Sequence, residues 1–188
     1  MGKLIAQVGA CGFQLRSDGA HFDHLTRAIV YQQLSGQAAA TIHSRIHALY
    51  GGRPPTPAEL ASTPAARLRR AGLSRQKLAY LKDLARRAAA GRLLLEALDA
   101  LPDESVIETL TAVRGVGVWT AQMFLMFRLG RLDILPVLDL GIQKGIRHVY
   151  GLRRLPSPAQ MERIAAPWRP YRSVACWYLW RALDVKTP

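Results

Sequence analysis

The sequence predicts an all-α chain, on three observations. Apolar residues recur at three- and four-residue spacing in most segments. Strict apolar–polar alternation, the mark of a half-buried strand, is nearly absent. Residues that start and stop helices bracket the periodic stretches. A length of 188 residues, 49% of them hydrophobic, allows one domain or two tightly packed lobes with a real core. The domain expectation is a single unit over 1–188. Its first lobe takes the core helices of about 20–110. Its second takes the N-terminal segment and about 111–188, with a hairpin over 110–130.

The elements follow in order. "HFDHLTRAIVYQQLSGQAAATIHSRIHALYGG" places Leu25, Ile29, Ala38, Ile42, Ile46 and Leu49 near helical spacing, with a break at Gly36 and an end at Gly51–Gly52. "RPPTPAELASTP" is a Pro-rich linker with one helical turn. "SRQKLAYLKDLARRAAAG" is an amphipathic helix with Ser74 as N-cap and Gly91 just past its end. "PDESVIETLTAV" begins another, with acids in its first turn, where the helix dipole favours them. "GVWTAQMFLMFRLG" is apolar enough to be buried along its length. "VLDLGIQKGIRHVYG" and "RPYRSVACWYLWRALD" are the last two long helices. No internal repeat is present.

Charge is the strongest global signal. Lys and Arg total 26 against 13 Asp and Glu, a formal net charge of +13. Arg dominates, and its planar fork suits bidentate phosphate contacts. This points towards nucleic acid; on charge alone that reading is only modestly favoured over a solvated basic surface or an Arg-rich coding bias. No apolar window of about 18 residues exists, so no transmembrane helix is expected. "MGKLIAQVGACGFQLRSD" lacks the apolar block and cleavage site of a secretory signal, so the expected location is intracellular, in the cytoplasm or nucleoid. Two cysteines, Cys11 and Cys176, are too few for a disulfide framework or a four-cysteine metal site.

The most specific motif is "LTAVRGVGVWTAQMF", residues 110–124. One helix ends at a Gly–Val–Gly turn and another starts at once. The glycines permit tight backbone geometry and close approach. Amides at the start of the second helix lack intrahelical partners and can cradle a phosphate oxygen. Gly115, Val116, Gly117, Val118 and Thr120 are the candidate phosphate contacts, as in a helix–hairpin–helix that grips DNA without reading bases. Carbonyls of Thr111, Val113 and Val116 are candidates for a bridging sodium or potassium ion; no essential metal or other cofactor is expected.

Downstream, "GRLDILPVLDLGIQKG" holds two acids, Asp133 and Asp139, in apolar company. Asp139 can cap a helix over 140–149, with Pro136 helping to start it. It can also do chemistry, and the two roles are compatible.

Together these residues resemble a known family. "L-x-x-V-x-GVG-x-WTA", then about a dozen residues, then "D-x-x-P-x-x-D-L-G-I-x-K-G" is similar to the helix–hairpin–helix DNA glycosylases, in their 3-methyladenine DNA glycosylase II (AlkA-like) branch. "AIVYQQLSGQAAA", "GLSRQKLAYLKDLA" and "WRPYRSVACWYLWRAL" extend the resemblance over nearly the whole chain from about residue 20. On this resemblance, the extra N-terminal β-domain of long bacterial members is expected to be missing. The resemblance implies two helical lobes with a DNA-binding cleft between them. It also implies a monomer acting on double-stranded DNA that contains alkylated purines.

Residue by residue, the family's catalytic aspartate falls on Asp139. A carboxylate there stabilises the oxocarbenium character of the deoxyribose and can orient or deprotonate water. Asp133 is expected to be structural, bonded to turn backbone. Bifunctional relatives carry a Schiff-base lysine after the position of Val118; here Trp119 stands there, so β-lyase activity is expected to be absent. Lys144 is expected to be a phosphate contact or surface charge. "YQQL" matches the segment that fills the gap left by a flipped base; Gln33 or Leu34 is the wedge, with Gln33 slightly favoured. Trp180 matches the position that stacks an aromatic on the base, and an indole face suits a cationic purine. Trp119, Met123 and Phe124 are further pocket candidates, as are Trp177 and Tyr178, although aromatics at helical spacing are more often core. Met123 and Leu138 depart from the residues expected there and put the substrate range in question. "HSRIH", with histidines at i and i+4, lacks the Glu of a metalloprotease motif and is read as a solvated face.

The leading function is a monofunctional DNA glycosylase for alkylated purines such as 3-methyladenine and 7-methylguanine. The alternative is a non-catalytic or altered-specificity DNA-binding protein of the same fold. A scaffold for an acidic partner would explain the charge but not the motifs.

Overall fold

Side-chain caps start five of the helices. The structure, a computed structural model, describes residues 1–15 and 18–184. They form eleven α-helices and no strand: α1 Gly2–Val8, α2 His21–Tyr31, α3 Gly36–Ala48, α4 Pro57–Ser62, α5 Ala65–Arg70, α6 Arg75–Ala89, α7 Asp103–Thr111, α8 Val118–Phe127, α9 Leu140–Val149, α10 Pro158–Ala165 and α11 Arg172–Asp184. Short 3-10 segments cover Leu95–Ala100 and Ala166–Trp168. Ser35, Thr56, Ser74, Asp139 and Ser157 each accept from a backbone amide three residues on, satisfying one donor at the start of α3, α4, α6, α9 and α10. Among the described residues, no helix is long and apolar enough to cross a membrane.

By internal contacts the chain divides into two units, Ser17–Phe124 and Met1–Arg16 with Leu125–Pro188. In the first, α6 is central, with α2, α4 and α5 packed on it and α3 on α2. Leu25, Ile29, Ile46, Leu60, Leu81, Leu84 and Leu110 are fully buried there, each contributing roughly 1.5–3 kcal/mol relative to exposure. In the second, α9 and α1 pack on α11 around Leu4, Ile142, Ile146, Cys176 and Leu179.

The division falls at Phe124/Leu125, whereas the sequence reading divided the chain near residue 110. The hairpin groups with the first unit because its own contacts, described below, lie on α6 and the α2–α3 loop. Gly36 is not the break between α2 and α3: it opens α3, and the break is the loop 32–35, where Gln33 has φ +54°. Ala38 is exposed, and the buried stripe of α3 is Ala39, His43 and Ile46. "HSRIH" is therefore not a solvated face, since His43 is 8% exposed. The Pro-rich stretch holds a capped six-residue helix, with Thr56 and Glu59 in a reciprocal capping box. Burial of α8 begins only at Thr120, because Val118 and Trp119 remain exposed. The short helices α5 and α10 were not anticipated from the sequence.

Candidate active site and nucleic-acid interface

Asp139 sits at the N-cap of α9, at the end of a loop anchored by buried Ile134 and Leu135. Pro136 accepts the Asp139 amide at 2.9 Å, and Gln143 Nε2 donates to the Val137 carbonyl at 2.9 Å. The carboxylate is largely buried, at 9% exposure. Its Oδ1 accepts from the Ile142 amide at 2.7 Å and from the Trp180 indole N–H at 3.0 Å. One donor belongs to α9 and the other to α11, so the orientation of the acid depends on how closely the two helices approach. The flanking Leu138 is 63% exposed and Leu140 52%.

Two glycines on one face of α9 permit that approach. A Cβ at Gly145 would stand 2.7 Å from the Leu179 carbonyl oxygen. A Cβ at Gly141, one turn earlier, would stand 2.9 Å from Trp180 Nε1 and 3.0 Å from Asp139 Oδ1. Either would push α11 away. Trp180 also lies against Phe127, with ring centroids 5.9 Å apart, and its ring is half-buried. Sequence reasoning placed Trp180 near the base; its bond to the acid was not anticipated.

Asp133 belongs to a different contact. It accepts from Arg172 Nε at 2.7 Å and from Arg169 Nη1 at 3.3 Å, with the Arg172 amide at 3.4 Å. Burial opposes ionisation of Asp133, but the Arg172 guanidinium and amide, with Arg169, outweigh it and hold the carboxyl below the usual range. Ser173 completes the junction, its hydroxyl donating to the Arg131 carbonyl at 2.7 Å. These two arginines, rather than the turn backbone expected from sequence, are the partners that tie the loop to α11. Burial, and then the Asp139 charge, push the Cys176 thiol well up, so this cysteine is a neutral core residue. Tyr178 donates to the Gly9 carbonyl at 2.9 Å and Trp177 packs on Gly12, so both serve the N-terminal segment. Lys144 is exposed.

In the other unit, α7 and α8 flank the turn 112–117. Gly115 has φ +83°, and a Cβ there would stand 2.1 Å from the Tyr80 ring, so the position admits only glycine. Gly117 differs: nothing lies within 4 Å of its Cβ direction, and its surface is open. The Val116 amide donates to the Val113 carbonyl at 3.0 Å and thus serves the turn itself. The Ala121 amide donates to the Gly117 carbonyl at 3.0 Å. Val118 and Thr120 therefore lie within the first turn of α8, ahead of its first repeating bond. Val118 is 43% exposed, Trp119 44%, Met123 is half-buried and Phe124 is buried edge-on against His21.

The loop 32–35 is bound to this hairpin. Gln32 Nε2 donates to the Gly115 carbonyl at 2.9 Å. Lys77 Nζ donates to the carbonyls of Val30 and Gln32, each at 2.6 Å, although burial pulls its pKa below the ordinary lysine value. Asp83 accepts from the Arg114 amide at 2.9 Å and from Arg87 Nε at 2.8 Å. Gln33 and Leu34 stay exposed at the tip. Gln32, Lys77, Tyr80 and Asp83 were missed from sequence; the helical spacing of Lys77, Tyr80 and Asp83 shared a face of α6 but named no partner.

Comparison with known proteins gives a consistent picture. The family model of the HhH-GPD superfamily base excision DNA repair proteins matches residues 26–170. Schizosaccharomyces pombe DNA-3-methyladenine glycosylase 1 is 34% identical over 162 residues, which is 85% of this chain and 71% of that protein. A solved structure of S. pombe 3-methyladenine DNA glycosylase (Mag1) in complex with abasic DNA superimposes with a TM-score of 0.86 at 31% identity, covering 100% of this chain and 93% of that one. A Bacillus halodurans DNA-3-methyladenine glycosidase gives 0.85 at 38% identity, covering 96% and 82%.

Proposed function

The chain belongs to the HhH-GPD superfamily of base excision DNA repair proteins, and from that premise we propose the chemistry of its named residues. It is a monofunctional DNA glycosylase that hydrolyses the N-glycosidic bond of alkylated purines such as 3-methyladenine and 7-methylguanine and leaves an abasic site. Its partner is double-stranded DNA, and it works as a monomer inside the cell, in the cytoplasm or nucleoid.

The observation that carries the mechanism is the doubly bonded Asp139. An alkylated purine is cationic, so it departs as a neutral base with the bonding electron pair. The positive charge passes to the deoxyribose as an oxocarbenium ion. The Asp139 carboxylate, fixed by the Ile142 and Trp180 N–H groups, stabilises that charge as it forms. Water then adds to C1′ and gives up a proton, for which Asp139 is the base. Trp119 supplies no amine, so no Schiff base forms and the strand is not cut. The half-exposed ring of Trp180 offers the base an aromatic surface; Trp119, Met123 and Phe124 are further candidates of aromatic or soft character.

Gly117, Val118 and Thr120, with Gly115, support a phosphate contact, while Val116 holds the turn. Carbonyls of Thr111, Val113 and Val116 are neutral oxygen donors suited to a sodium or potassium ion, which would add positive charge against the phosphate. Gln33, at the tip of the braced loop, is the wedge that replaces the flipped base, with Leu34 beside it. Leu138 is exposed, so its bulk does not argue against a base beside Asp139.

Base release from a panel of lesion-containing duplexes tests this function. Alkylated purines should be released by the native protein and not by Asp139→Asn, with DNA affinity kept. Full activity in Asp139→Asn would overturn the assignment of the acid. An inert native protein that still binds DNA would establish the binding-module alternative.

A further inference from the structure

We propose that Asp23, His43 and His47 form a site for one divalent first-row transition-metal ion, of zinc type, which staples α2 to α3. His43 and His47 lie one turn apart on α3, so both imidazoles project from one face. That face meets the first turn of α2, where Asp23 stands. His47 Nε2 lies 2.9 Å from Asp23 Oδ1, and His43 Nε2 lies 3.4 Å from the same oxygen. One ligand atom from each of the three residues lies within 4.8 Å of the other two.

These distances suit an ion. With metal–nitrogen and metal–oxygen bonds of about 2.0–2.2 Å, tetrahedral ligands stand roughly 3.3–3.5 Å apart. The His43–Asp23 separation already has that value. The His47–Asp23 separation is that of a hydrogen bond and needs to open by about half an ångström. Two imidazoles and one carboxylate select zinc, cobalt, nickel or copper over magnesium and calcium, which prefer all-oxygen shells.

An independent observation separates this cluster from an ordinary ion pair. His43 is 8% exposed, and its Nε2, sealed from solvent, stands 3.4 Å from Asp23 Oδ1 without well-formed hydrogen-bond geometry. A buried ring nitrogen without a well-formed hydrogen bond is destabilising. Coordination satisfies it. The Tyr31 ring meets the His43 ring edge-on at 6.5 Å and walls one side of the site. The two stapled helices flank the loop 32–35, so a bound ion would brace the segment that carries Gln33.

The test uses the full chain freed of metal by chelator. Cobalt(II) is titrated and followed by its visible absorption, and zinc is titrated by calorimetry. Cys11, an exposed thiol, is replaced by Ser throughout to remove a competing ligand. One equivalent should bind, with intense four- or five-coordinate cobalt bands, and zinc should raise the unfolding midpoint by several degrees. His47→Ala and Asp23→Asn should each weaken binding at least tenfold. If the helical circular dichroism of His47→Ala is lost, Asp23→Asn alone carries the comparison. A cobalt spectrum that stays that of the hydrated ion, or equal zinc affinity in native and Asp23→Asn protein, would overturn the proposal and leave the cluster as a hydrogen-bonded tie.

Discussion

Gly141 packs against the indole of Trp180: a Cβ there would stand 2.9 Å from both Cδ1 and Nε1. The same indole N–H holds Asp139 Oδ1. Gly141→Ala should therefore move Trp180 away from the acid without altering either residue. Base release under single turnover should slow by about 10–100-fold, as expected for losing a hydrogen bond to a charged group. DNA affinity and helical circular dichroism should change little. A native rate in Gly141→Ala would show that the contact does not position the acid.

Trp180 combines a donor with an aromatic face, and Trp180→Phe separates them. The ring is kept and the N–H is lost. The rate of the chemical step should fall by about tenfold with substrate affinity nearly native, whereas Trp180→Ala should weaken both. Equal effects of Phe and Ala on the chemical step would make stacking, not the bond to Asp139, its contribution.

The two hairpin glycines should respond differently. Gly115→Ala meets Tyr80 at 2.1 Å and forces a non-glycine residue to φ +83°, so stability should fall by about 1–3 kcal/mol along with DNA binding. Gly117→Ala meets nothing in the free protein. Its unfolding midpoint should stay native while affinity for undamaged DNA drops severalfold, if the added methyl stands at the proposed phosphate contact. Fluorescence anisotropy and thermal melts read the two effects separately.

Much of this arrangement was legible in the sequence, and the part that was not has a common physical cause. The all-helical fold, the hairpin turn and Asp139 as a cap each have a local signature: period, glycine spacing, and an acid before a helical run. Asp133's arginine partner lies 39 residues on. Lys77 reaches back 45 and 47 residues to carbonyls, and Asp23 meets His47 across 24. Such pairings have no sequence period. Likewise, Gly141 and Gly145 look like weak helix residues until α11 is seen lying on them. "HSRIH" was misjudged because a two-histidine spacing does not reveal whether the face is covered.

Lys77 braces the loop that carries Gln33 at φ +54°. Lys77→Met keeps most of the apolar stem and removes both hydrogen bonds. Extrusion of the target base, followed by fluorescence of a neighbouring 2-aminopurine, should become slower or less complete. Base release should fall accordingly on paired lesions, and much less on lesions opposite an abasic site, where opening is easier. Equal losses on both substrates would place the role of Lys77 outside base flipping.

The loss of stability on acidification should depend on Asp133. Its folded-state pKa lies below the ordinary aspartate value because the bonds and charge of Arg172 and Arg169 outweigh burial. A depressed pKa contributes stability that is fully present above the unfolded value of about 3.9 and is lost as pH falls through the folded value. Asp133→Asn removes that contribution. At pH 7 the variant should be less stable by about 1–2 kcal/mol, the scale of a partly buried charge-assisted pair. The gap between native and variant should stay constant down to about pH 5 and close progressively below pH 4. Urea unfolding at a series of pH values measures both curves. A gap that persists unchanged at the lowest pH would assign the loss to packing at the start of α11 rather than to the ionised carboxylate.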